Sequence, residues 1–95
     1  MEDSLGYNSS HFKFLKHQFK VVSYEELLRY YKIYMKLYHS YGAFNGSTFK
    51  KKISAIVDLN ETPSIKYDLF KKEIILGVEE YNKIHSSQPN KQIVF

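Results

Sequence analysis

The stretch NETPSIKYDLFKKEIILGVEEYNKIH, residues 60–85, decides how this chain folds. Asn60, Thr62 and Pro63 punctuate its start. Beyond them two hydrophobic periods compete. Ile65, Tyr67 and Leu69 alternate, as do Ile74, Leu76 and Val78, which is the pattern of two half-buried strands joined by a turn near residues 70–73. Phe70, Ile74, Val78 and Tyr81, spaced four, four and three apart, fit one face of a helix equally well, with Asp68 available as a cap. The β-branched pair Ile74-Ile75 and Gly77 are poor helix formers and favour the strands. No Asn-Gly or Gly-Gly dipeptide marks the hairpin turn. A β-hairpin is therefore the expected structure and a helix over residues 67–85 the alternative, with a short helix at residues 79–85 completing the hairpin version.

Upstream, the pattern is helical. Ser9 or Ser10 can cap a short helix, HFKFLKHQFK, that aligns Phe12, Leu15 and Phe19. Ser23-Tyr24-Glu25-Glu26 is a capping-box signature, in which Ser23 bonds the backbone N–H of Glu26 and Glu26 reaches back. From there Tyr24, Leu27, Leu28, Tyr31, Met35 and Tyr38 recur at helical spacing up to Gly42, a C-cap candidate, so residues 24–41 are predicted to form one amphipathic helix. Its opposite face carries Arg29, Lys32 and Lys36. After the turn AFNG, Ser47 or Thr48 can cap a third helix that buries Phe49, Ile53, Ile56 and Val57 and presents Lys50, Lys51, Lys52 and Ser54 outward. The expected fold class is α+β, a small winged helix-turn-helix of three or more helices plus a β-hairpin wing. Residues 1–10 read as a lead-in, 11–85 as the domain and 86–95 as a C-terminal tail.

A chain of 95 residues, 43% hydrophobic and 17% aromatic, can bury one core unaided. Without cysteine it has no disulfide, thiolate metal site or thiol nucleophile. The opening MEDSLGYNSSHF is no signal peptide, nothing reaches membrane-spanning length, and an intracellular protein is expected. The glycosylation triplets at Asn8, Asn45 and Asn60 are then chance matches. The net charge of +4 is unevenly spread: residues 11–57 hold nine Lys or Arg against two acids. Such a surface attracts polyanions, of which nucleic acid is the usual one inside a cell.

Several chemistries can be set aside. Gly46 stands alone after a helix, whereas a P-loop needs Gly-x-x-x-x-Gly-Lys-Ser/Thr after a strand. His11, His17, His39 and His85 fall at no ligand spacing, so no metal is expected. No serine elbow or carboxylate pair calls for catalysis, and neither enzymatic activity nor a cofactor is expected. In RYYKIYMKLYHSY the aromatics interleaved with lysines could stack unpaired bases, yet Tyr31, Tyr34 and Tyr38 sit at core spacing, which leaves Tyr30 and Tyr41 free. Three lysines on a helix are commonly a solvated face. Here, a helix, a glycine turn and a second helix opening with Ser47, Thr48, Lys50 and Lys51 form the layout of a helix-turn-helix, with Lys66, Lys71 and Lys72 on the wing.

The run from Ser23 to Tyr81 resembles the C-terminal winged-helix domain of poxvirus-type helicase-primases and the similar domains ending phage and plasmid primases. The likeness rests on the Tyr-rich helix, the STFKKKI segment and a basic hairpin ending Ile-Leu-Gly-Val. It implies a non-catalytic fragment of an ATP-dependent helicase-primase, with Met1 an appended start. The isolated domain would be monomeric and its parent a homo-oligomeric ring, acting at viral replication sites in the host cytoplasm. DNA, whether single-stranded, duplex or forked, would meet Arg29, Ser47, Thr48, Lys50, Lys51, Lys52, Ser54, Lys66, Lys71 and Lys72, mainly through phosphates, since no bidentate base reader lies on the third helix. Asp68 and Glu73 flank the wing and oppose phosphate contact there. A protein-docking module of the same fold is one alternative, and a small viral or plasmid inhibitor folded as a helical bundle is another, which requires residues 67–85 to be helical; binding through lysines would weaken steeply with salt, and an apolar interface would not.

Overall fold

A computed structural model describes residues 9–21 and 23–95. Of the expected lead-in, residues 1–8 lie outside the described residues, and so does Val22. Four α-helices follow in order: α1, Ser10–Phe19; α2, Tyr24–Tyr38; α3, Gly46–Val57; and α4, Pro63–Ile84. A 3-10 turn at Pro89–Lys91 follows α4.

The fold is all-helical, and the α+β winged helix is overturned: among the described residues there is no strand, and the expected hairpin is the middle of α4. The reason lies at both ends of the quoted stretch. Thr62 accepts the Ile65 N–H at 3.4 Å and Pro63 occupies the first helical position, where a missing N–H costs nothing, so the apparent breaker starts a helix. The buried positions Phe70, Ile74, Gly77, Val78 and Tyr81 follow the helical period, while Ile65 and Leu76 of the alternating set are exposed. Gly77 is buried under Leu37 and Phe49, whose side chains come to 3.0 Å from where a Cβ would stand.

Each helix is capped by its own sequence. Ser9 accepts from the Phe12 N–H, Ser23 from Glu26 and Asn45 from Thr48. The third helix thus starts before the expected Ser47 or Thr48, and α2 ends at Tyr38, short of residue 41. Gly42, at φ +93°, turns the chain between them. Only half the capping box forms. The Glu26 carboxylate turns away to accept the Tyr67 hydroxyl at 2.7 Å, which ties α2 to α4.

Both α2 and α4 touch all the other helices, and α1 and α3 flank that central pair. The core is unusually aromatic. Tyr34 lies within about 6 Å, ring to ring, of Tyr31, Phe49 and Phe70, contacts of the tilted and edge-on kind that aromatic quadrupoles favour. The last residues fold back on α4: Asn82 donates to the Ile93 carbonyl at 3.0 Å and accepts the Ile93 N–H at 2.8 Å, and Ile93 is buried. Gln92 adds a bond to the His85 carbonyl at 2.7 Å.

Candidate nucleic-acid interface

The three consecutive lysines of α3 do not share a face, since each residue advances a helix by about 100°. Lys50 and Lys51 look out beside Tyr38, Ser47 and Ser54, around a shallow hollow of about 430 Å³. Lys50 Nζ stands 4.9 Å from the Tyr38 ring centroid, a cation–π contact that holds it toward α2. Beneath it lies His11, whose ring meets Tyr31 and Tyr34 edge-on. Burial, and then the Lys50 charge, hold the His11 imidazole below the ordinary histidine range.

Lys52 and Thr48 fall on the other flank, lining a hollow of about 310 Å³ together with Leu76 and two carboxylates, Glu73 and Glu80. A phosphate there would meet those acids. The supposed wing lysines are engaged elsewhere. Lys66 donates to the Val57 carbonyl at 2.7 Å and so closes the C-terminus of α3. Lys71 lies 3.5 Å from Glu26, 4.0 Å from Asp68 and over the Tyr67 ring. Lys72 is an exposed residue of α4 and Arg29 an exposed residue of α2, close enough to Glu26 and Tyr67 to act on both. The predicted set is therefore divided, with Ser47, Lys50, Lys51 and Ser54 together and the remainder apart from them.

The Gly46 region also reads differently in three dimensions. Gly46 is buried at the first position of α3, where an added Cβ would overlap the backbone carbonyl of Tyr38. Its lack of a side chain lets the end of α2 and the start of α3 meet. Asn45 already takes the Thr48 N–H, at 3.1 Å.

Sequence reasoning missed a second basic group. Between the ends of α2 and α4 and the returning tail, Lys32, Lys36, Tyr41, Tyr81, His85 and Lys91 surround an open cleft of about 770 Å³. The interval between Lys32 and Lys36 was visible; their meeting with Lys91 depends on the Asn82–Ile93 clamp, which no local signal announces. A middle hollow of about 460 Å³ joins the two basic groups, sharing His39, Ser40 and Tyr41 with the cleft and Tyr38 and Ser47 with the lysine face of α3. Among the described residues, the three adjoining hollows hold five lysines and no carboxylate.

Helix electrostatics explain part of this charge, because cations are favoured near the C-termini of α2 and α4. They do not explain Lys50 and Lys51. Those lie in the second turn of α3, near its positive end, and the first turn holds no acid to balance them. Among the described residues no three His, Asp or Glu side chains converge as metal ligands, and no helix is long and apolar enough to cross a membrane. No family model, curated protein or solved structure matches the chain, so its own geometry carries the reading.

Proposed function

We propose that this chain is a nucleic-acid-binding module that holds a phosphate backbone along the track running from Lys32, Lys36 and Lys91, around the α2–α3 corner, to Lys50 and Lys51. One observation carries the reading: the carboxylate-free continuity of that track, which concentrates positive potential where net charge alone is modest. Lysine is a point charge without the planar fork that reads guanine, and the chain's single arginine, Arg29, is not among the track's lining residues. Binding should therefore be indifferent to base sequence. An accessory role in a viral helicase-primase, implied by the resemblance, belongs to this proposal on the strength of the resemblance alone, and without a wing.

Salt dependence tests it. Release of counterions gives a log–log slope of roughly −0.7 per phosphate held on a single strand. Five lysines engaged together would give about −3.5, and removing Lys50 and Lys51 as alanines would make it shallower by about 1.4. Fluorescence anisotropy of a labelled oligonucleotide across a salt series measures both. Affinity insensitive to salt, or to these lysines, would sink the proposal.

A further inference from the structure

Resting on the nucleic-acid reading, we infer that the occupant of the track is an unpaired strand, with one base stacked on Tyr41 where the track turns between its two groups of lysines.

Tyr41 is 88% exposed in the α2–α3 turn and lines both the 770 Å³ cleft and the middle hollow. The other tyrosines of the track have their rings committed. Tyr38 lies nearly parallel to Tyr34 and carries Lys50, while Tyr81 is covered by His85 at 4.2 Å and Phe44 at 5.8 Å between ring centroids. The faces of Tyr41 are open to a base, and every base offers a π-face, which makes the contact tolerant of sequence.

The same corner is ill-suited to a duplex. A helix that reads the major groove projects its N-terminal residues into it. In α3 the first residue, Gly46, has no side chain and is buried against the Tyr38 carbonyl, the Thr48 N–H is already capped by Asn45, and the exposed short hydroxyls of Ser47 and Thr48 are parted between two different hollows. The one amide side chain lining the three hollows, Asn45, has its oxygen taken by the Thr48 N–H. What is left is concave, cationic and carries one free aromatic, the combination that binds single strands.

The test compares wild type, Tyr41→Ala, Tyr41→Phe and Lys50→Ala/Lys51→Ala by anisotropy. The probes are an oligo-dT, an oligo-rU, a duplex of mixed sequence and an oligo-dT carrying abasic sites, with phosphatidylserine vesicles as a separate anionic surface. Both single strands are expected to bind more tightly than the duplex. Tyr41→Ala should weaken single-strand binding roughly 5- to 150-fold, the range of one lost base stack. Tyr41→Phe should restore it, and abasic sites should abolish the difference between Tyr41 and Ala. Because Tyr41 is exposed, its removal leaves the core intact. Salt-dependent binding that needs Lys50 and Lys51 but prefers the duplex, or ignores Tyr41→Ala, overturns the inference and spares the broader reading. Loss of all oligonucleotide binding with vesicle binding retained overturns both.

Discussion

Gly46→Ala separates a packing glycine from a phosphate-loop glycine. A Cβ at this position would overlap the Tyr38 carbonyl and stand 2.8 Å from the Leu37 carbonyl oxygen, so the obstacle is backbone and cannot swing aside. Overpacking costs about 1–3 kcal/mol where neighbouring side chains can yield, and a backbone obstacle puts this substitution near 3 kcal/mol. For a domain of this size each kcal/mol lowers Tm by roughly 4–8 °C, which places the loss at roughly 12–24 °C. Gly77→Ala is the internal comparison. Its added methyl would lie 3.0 Å from Leu37 Cδ1 and 3.0 Å from Phe49 Cε1, both movable side-chain atoms. The substitution also recovers about 1 kcal/mol of helix propensity, so its Tm should stay within about 5 °C of wild type. Thermal melts followed by circular dichroism measure both. A Gly46→Ala protein that melts like the wild type would refute the close α2–α3 approach, and a Gly77→Ala protein that loses more than about 5 °C would show that Leu37 and Phe49 do not yield around α4. Oligonucleotide binding lost without a loss of stability would restore the loop reading.

Asn82→Ala should free the returning chain. Losing two hydrogen bonds worth about 1 kcal/mol each raises the undocked population roughly 30-fold, seen as faster exchange of the Ile93 amide, and the salt slope should become shallower by about 0.7 as Lys91 leaves the cleft; unchanged Ile93 exchange would contradict the clamp. Glu26 is held below the ordinary carboxylate range, first by the Tyr67 hydroxyl and then by Lys71, so it contributes stability above pH 4.5 that is lost as pH falls through its lower folded value. Glu26→Gln should flatten that acid limb in urea melts, and an unaltered limb would remove Glu26 from the account. At the alkaline end, burial pushes Tyr34 up to about 12 and burial with the Glu26 bond raises Tyr67, so their stabilisation is full below pH 10 and lost as each folded value is passed. A spectrophotometric titration in which all nine tyrosines ionise together near pH 10 in the folded protein would contradict this. The His11 imidazole should titrate higher in Lys50→Ala, though still below 6.5 because burial is the larger cause, and an NMR titration showing no change would place Lys50 away from it.

Three helices were legible because their signals were local and mutually consistent. Ser23 before Glu26, with Leu27, Tyr31 and Tyr34 following at helical spacing, specifies α2 whatever surrounds it. The fourth was obscured by reading residue types before period. Ile74, Ile75 and Gly77 disfavour a helix by tenths to about 1 kcal/mol each. Burying Phe70, Ile74 and Val78 together contributes several times that, at roughly 1.5–3 kcal/mol per large apolar side chain. The alternating set is not the buried one: of its six members only Ile74 and Val78, which also belong to the helical stripe, are buried, and Ile65 and Leu76 are exposed. Thr62-Pro63 was the decisive local signal, since proline breaks a helix from inside but begins one at its first position.

The candidate site was less legible for a related reason. A lysine run is contiguous in sequence, but a helix distributes it around an axis, so Lys50 and Lys51 joined a track whose other half comes from residues 32–41 and 91, while Lys52 was turned toward Glu73 and Glu80. Net charge conceals the same partition. At +4 the whole molecule is only mildly cationic, yet the five lysines of the track have no carboxylate among them while Lys52 and Lys71 lie beside acids, and a polyanion within a Debye length of about 8 Å responds to the nearest surface rather than to the sum. The strength of that face depends on two features without charge. Gly46 lets α2 and α3 meet closely enough for their lysines to border one continuous surface, and the Asn82–Ile93 clamp returns Lys91 to it. On this reading the folding determinants and the binding determinants are the same contacts, so a substitution that loosens the corner should reduce affinity even when every lysine is retained.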